Sequence, residues 1–332
     1  IQLIIFGCIA LLGIACSPDN PKEAGKNDPG EVNVYSHRHY ESDEKLFNRF
    51  TETTGIRVNV VKAKADQLIE RLKAEGEQSP ADLLITVDVG RLTRAKEAGL
   101  LQPLGAIAGT TSVPSYLKDN ENQWVGLTKR ARVIVYNAQR VQEENLPSTY
   151  EELADPAFRG KILTRSSSNI YNQSWIASMI AAHGEEKTES WAEDLVTNLA
   201  RDPKGNDRAQ MRAVAAGVAD YAIVNTYYLG LLATGNEEDQ AVADQLKILF
   251  PNQAGRGTHI NVSGIGITTH APNAENARKL IDFLLSEEAQ KIFAEANFEY
   301  PVHPAVPAAE RVQSWGDFKE DTRSLNEIGA LG

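Results

Sequence analysis

Two aromatic pairs carry the most specific chemistry in this sequence. His39 and Tyr40 close the segment YSHRHY (35–40) directly behind a β-branched run, and Tyr227 and Tyr228 stand side by side in NTYYLG (225–230) behind the run DYAIVN. Tyr171, in SSSNIYNQSW (166–175), occupies a third junction of the same kind. A phenolate is a hard anionic oxygen, suited to a small, highly charged cation rather than to the soft metals that thiolate selects. Ferric ion is the natural candidate, because three phenolates balance its charge and a neutral imidazole adds a nitrogen donor without altering that balance. A free phenol titrates near ~10, so holding one ionised at neutral pH costs about 4 kcal/mol, which only a strongly charged neighbour offsets. Each motif also has a plainer reading. A His beside a Tyr serves as a hydrogen-bonded surface pair. Of two adjacent tyrosines on a strand, one fills core and the other caps the surface, since successive side chains face opposite ways. Both reach one place only if the chain turns into a helix at Asn225–Thr226.

Other chemistries have weaker support. There is no HExxH or CxxC pattern for zinc. A hydrolase would draw on Ser166–Ser168 with His183, but no G-x-S-x-G elbow is present, and the serines are expected to cap a helix entering at Asn172. GIGITT (264–269) lacks the third glycine of a dinucleotide fingerprint.

The elements that would position these residues alternate. VNVYS (32–36), a helix through Leu46, Phe47 and Phe50, IRVNVVKA (56–63), a helix through Leu68, Ile69 and Leu72, and DLLITV (82–87) predict a parallel sheet covered by helices. Ser42, Asp43 and Glu44 read as the cap and acidic first turn of the first helix. A long extended stretch at 124–137 follows, and then Ser148 and Glu151 are spaced as a capping box. A second α/β run comprises GKILT (160–164), helices around 173–183, 189–200 and 207–216, and a strand at 220–225. A second long extended stretch, 257–268, leads to helices at 274–285 and 287–296, the latter capped by Ser286. Two extended passages between two α/β regions suit a cleft with a hinge.

With 34 Lys and Arg against 45 Asp and Glu, the net charge is −11, which disfavours a nucleic-acid partner because phosphate recognition rests on clustered basic residues. Residues 3–15 form an uncharged apolar run, too short to span a bilayer, that reads as the core of a signal peptide over 1–15. Ile1 in place of Met leads us to expect the start codon upstream. Gly13 and Ala15 satisfy the rule for ordinary cleavage, whereas LLGIAC before Cys16 resembles a bacterial lipoprotein box, and lipidation of Cys16 is the favoured route of the two. Cys8 and Cys16 are the only cysteines, so the folded body has neither disulfides nor thiolate chemistry. Residues 16–30, rich in Pro and Gly, read as a flexible tether.

Taken together, VNVYSHRHYESD (32–43), GLTKRARVIVYN (126–137), LPSTYEELADPAFRGKI (146–162), GNDRAQMRAVAAGVADYAIVNTYYLG (205–230) and NVSGIGI (261–267) resemble the ferric-ion-binding proteins of bacterial iron ABC importers. The resemblance covers most of residues 31–310. It implies an α/β, two-lobed periplasmic binding protein fold of type II with two interdomain crossover strands, one lobe being 31–131 and 264–300 and the other 132–263 and 301–332. The implied metal ligands are His39 and Tyr40 from the first lobe and Tyr171, Tyr227 and Tyr228 from the second, the tyrosine-rich form of the site. Some relatives use His, Glu and two Tyr with a bound anion; here a sixth position would hold water or a carbonate-like anion, with Arg38 and Arg132 as its partners or else engaged in ion pairs. The resemblance further implies a monomeric periplasmic receptor, not an enzyme, that carries Fe3+ as transported ligand to a membrane permease and is anchored through Cys16 if lipidated. The rival within the fold is another small solute, a polyamine, phosphonate or sugar, for which an aromatic box or an Arg-lined pocket is expected.

Overall fold

The computed structural model describes residues 29–331, so the expected signal segment, Cys8, Cys16 and nearly all of the tether lie outside the described residues. In chain order the first half opens with β1 (Glu31–Ser36), α1 (Glu41–Thr54), β2 (Arg57–Lys62), α2 (Ala65–Glu75), β3 (Leu83–Thr86), α3 (Val89–Glu97) and β4 (Leu101–Gln102). β1 lies between β2 and β3 and runs parallel to both, as strands joined by helical crossovers must. α1 turns Leu46, Phe47 and Phe50 onto the sheet and stops at Gly55, whose φ of 76° is open to glycine at no steric cost.

β5 (Trp124–Asn137) is the strand both halves share. It is followed by β6 (Ile162–Leu163), α4 (Ile170–His183), α5 (Glu185–Thr197), α6 (Asp207–Ala215), β7 (Tyr221–Asn225), α7 (Tyr227–Ala233), α8 (Glu237–Ala243) and β8 (Leu246–Leu249). The return strand β9 (Ile260–Thr268) leads to α9 (Ala274–Leu284), α10 (Glu287–Asn297), β10 (Tyr300–Pro301), α11 (Glu310–Gln313) and α12 (Leu325–Leu331). The strands follow the path β2-β1-β3-β9-β5-β7-β6. Residues 124–131 of β5 pair antiparallel with β9, and residues 132–137 pair with β7 and β8. Each half has its own core. One gathers Val34, Leu46, Leu84, Trp124 and Ile265; the others gather Val133, Val224 and Leu229, and Tyr150, Trp175 and Trp191. At ~1.5–3 kcal/mol for each large apolar side chain fully buried, these cores hold the strand ends in place. The result is a mixed α/β fold in two halves, with the long strands β5 and β9 paired between them.

Several local expectations need correction. α1 starts at Glu41 with Tyr40 at the capping position and no side-chain cap; Ser42 is buried within the first turn and Asp43 is engaged by Arg38. The capping box is displaced by one residue: the Ser148 N–H donates to the Glu152 carboxylate (2.7 Å) and the Glu152 N–H to Thr149 Oγ1 (3.2 Å), over a short 3-10 turn, Glu151–Ala154. Pro156 follows too closely for a longer helix. α4 begins at Ile170 under an Asn169 cap, which accepts from the Tyr171 N–H, and not under the preceding serines.

Candidate metal centre

β1 ends at Ser36, and the His37 N–H donates to the Ile85 carbonyl (2.8 Å), laying residues 37–40 across the ends of β1 and β3. Ser36 Oγ accepts from the Arg38 N–H (3.1 Å), which tightens the turn. The His37 and His39 rings meet edge to face at 6.0 Å. His39 is exposed while His37 and Tyr40 are half-buried. Burial, and then the proximity of His39 and Arg91, push His37 down to about 4, so it is neutral at pH 7.

In the other half, β7 passes straight into α7. The Thr226 N–H donates to the Ala131 carbonyl (3.0 Å) and Thr226 Oγ1 accepts from the Ala131 N–H (3.2 Å), so the junction is tied to β5. Helical geometry then lets two adjacent tyrosines face one region, which a strand would forbid. The Tyr227 and Tyr228 rings lie 4.0 Å apart at 32°. Tyr171 stands on the first turn of α4. Across the cleft, the Tyr40 and Tyr227 hydroxyls are 3.2 Å apart. His39, Tyr40, Tyr171, Tyr227 and Tyr228 all line one cavity of about 300 Å³, together with His37, Arg165, Asn169 and Arg208.

The electrostatics of the cavity favour protonated phenols until a cation arrives. Burial first, and then the neighbouring tyrosine oxygens, raise Tyr40 and Tyr227 well above the ordinary phenol range, with Arg130 pulling the other way. Burial, Tyr171 and Asp207 likewise raise Tyr228. Arg130 is fully buried, with its guanidinium carbon 5.7 Å from the ring centres of both Tyr171 and Tyr227. Among the described residues no cluster of three or more His, Cys, Asp or Glu has metal-site geometry, and the oxygen-bearing side chains that line the cavity are the four phenols and Asn169.

The anion partners expected from sequence are elsewhere. Arg38 and Arg132 are at most 1% exposed and do not line the cavity. Arg38 pairs with Asp43 and Glu299, and Arg132 donates to Asp207 (2.8 Å), Asn225 (3.2 Å) and Asn172. A buried guanidinium has to find carboxylate partners, and Arg38 in the loop after β1 and Arg132 on β5 both have. The arginines at the cavity are Arg165 and Arg208, 5.6 Å and 6.0 Å from the rings of Tyr171 and Tyr228. Sequence reasoning missed these two, together with Arg130 and the part His37 plays in lining the cavity. Arg130 was findable, because it shares the strand face of Arg132 at the next alternate position. The hydrolase arrangement does not form: Ser166 and Ser168 precede α4 and His183 ends it, roughly 20 Å away at ~1.5 Å per residue, against Glu151.

The family profile for bacterial extracellular solute-binding proteins matches residues 78–319. Iron uptake protein A1 of Synechocystis is 50% identical over 327 residues, covering 98% of this chain and 91% of that protein. Among solved structures, the Trichodesmium protein IdiA (FutA), in complex with iron and citrate ligands, superposes with a TM-score of 0.87 at 51% identity, covering 91% of this chain and 96% of that one. The ferric binding protein from Campylobacter jejuni gives 0.86 at 43% identity, covering 90% and 95%. The chain belongs to the bacterial extracellular solute-binding proteins, and these relatives place it with the members named for iron uptake and ferric binding.

Proposed function

We propose that the protein is an extracytoplasmic receptor that captures Fe3+ between its two halves and delivers it to the membrane permease of an ABC importer. The observation that carries this is the convergence of four phenols and an imidazole, drawn from both sides of β5, on one cavity with no competing donor cluster among the described residues. In this reading His39 and Tyr40 come from the lobe formed by 31–131 and 264–300, and Tyr171, Tyr227 and Tyr228 from the lobe formed by 132–263 and 301–332. Each lobe alone offers a partial site, so ferric ion favours the closed arrangement because only that arrangement completes the ligand set. The cation replaces protons on the raised phenols, and its charge supplies what Arg130 alone does not. Reduction to Fe2+ weakens a site built of phenolates, which provides a route to release. The relatives' names support the same cargo, and a monomer in the periplasm fits a receptor that must present its cleft; lipidation at Cys16 would add a tether.

Ferric ion presented as a weak chelate should bind at one equivalent per chain, measured by dialysis and metal analysis. Uptake of a polyamine, phosphonate or sugar, with no retention of iron, would replace this reading with its rival.

A further inference from the structure

Behind the cavity lies a group that the ligand set does not use. Glu299 is fully buried and stands one residue beyond Phe298, a bulky residue in the left-handed region at φ 55°. Such a conformation in a phenylalanine is costly and persists only where the surroundings fix it. The surroundings do so here: the Phe298 ring lies against Gly230 of α7, where an added Cβ would sit 2.4 Å from Phe298 Cγ. The segment 298–299 therefore touches the helix that carries Tyr227 and Tyr228.

The Glu299 carboxylate joins two arginines. It accepts from Arg38 Nη1 (3.2 Å) and Nη2 (2.9 Å) and from Thr128 Oγ1 (2.9 Å), and it lies 3.2 Å from Arg130 Nε. Arg38 sits inside the loop that presents His39 and Tyr40, with its guanidinium carbon 4.7 Å from the Tyr40 ring centre, and it also donates to Asp43 (3.0 Å) and Ser263 (2.8 Å). Arg130 sits beneath Tyr171 and Tyr227. Two guanidiniums and two carboxylates thus make a neutral, water-excluded cluster under ligands from both halves.

We propose that Glu299 is a positioning residue of the ferric site, which acts through Arg38 and Arg130 and whose charge sets how strongly the site prefers Fe3+ to Fe2+. This rests on the ferric reading above. Without the Glu299 charge the cluster carries one uncompensated positive charge beside the phenolates, and a buried positive charge favours the state with the extra electron. Asp43 does not replace it, because among the described residues its ion-pair partner is Arg38 and not Arg130.

The test is the Fe3+/Fe2+ potential of the loaded full chain, with melting of the iron-free protein as the check on folding. Glu299→Gln is expected to lower the Fe3+-over-Fe2+ preference roughly tenfold, an upward shift of about 59 mV for a one-electron couple. Glu299→Asp, which keeps the charge, holds the potential near wild type. Arg130→Met, which leaves the cluster with one excess negative charge, shifts it downward, and the double variant Arg130→Met/Glu299→Gln returns it upward toward wild type by restoring neutrality. Should Glu299→Gln alone fail to fold, the comparison of Arg130→Met with the double variant decides, since the double restores neutrality. A folded Glu299→Gln protein with a wild-type potential, or a double variant no higher than Arg130→Met, overturns this proposal alone. A wild-type protein that retains no ferric ion overturns the ferric reading and this proposal with it.

Discussion

The phenols of Tyr40, Tyr227 and Tyr228 are all raised, by burial first and by the neighbouring Tyr171 second, so without a cation they hold their protons at neutral pH. Each phenolate that a cation recruits must release one. Ferric affinity is therefore expected to rise with pH and to fall as pH drops, with protons appearing in solution on loading. Chelator competition at pH 6, 7 and 8, with proton release followed by indicator dye, measures both, and an affinity flat across that range would contradict phenolate ligation. At this scale the sequence was legible where two rare neighbours, His-Tyr and Tyr-Tyr, fell behind strands. It was illegible for arginine. Nothing local to Arg38 or Arg132 distinguishes a side chain aimed at an anion from one aimed at Asp43, Glu299 or Asp207, because those partners arrive from distant segments.

At the scale of elements, α7 is held from two sides, by β5 at Thr226 and by Phe298 at Gly230. Gly230→Ala is expected to push α7 off Phe298, lowering stability by about 1–3 kcal/mol, the usual range for overpacking, and weakening ferric affinity because Tyr227 and Tyr228 ride on that helix. Melting and chelator competition check the two effects; native values for both would mean that the contact positions nothing. His259, at the entry to β9, gives a pH test of the crossover. Burial first, and then Arg132 and Arg256, push it down to about 3, against ~6.5 in an unfolded chain. Its contribution to stability is whole above pH 6.5 and is lost as pH falls, because only the unfolded chain takes up the proton. Between pH 6.5 and 5 that is about 2 kcal/mol at ~1.36 kcal/mol per unit. Urea unfolding of His259→Gln should show an acid-side decline shallower by this amount, and an unchanged decline would contradict it. Strand β5 was readable residue for residue, since β-branched and aromatic residues recur along it and no Pro or turn pair interrupts it, whereas the turn after Pro147 slipped by one position because Ser148 and Thr149 are both competent caps.

For the whole molecule, the alternation of strands and helices specified two α/β regions, and two long extended stretches specified the crossovers. Which side chains face each other across the cleft is a property of the tertiary arrangement, which no local pattern records. The Tyr40–Tyr227 contact, 187 positions apart in sequence, is its most direct expression. The measurement that tests the account most directly is the visible spectrum of the full chain as ferric ion is added. Phenolate bound to Fe3+ gives an intense charge-transfer band, so the account predicts colour that saturates at one equivalent, with both band and affinity reduced at least 100-fold in binding strength for Tyr227→Phe or Tyr228→Phe, beyond the ~10–100-fold typical of supporting residues. A colourless protein with ferric ion bound, or full colour and native affinity in both variants, would contradict it.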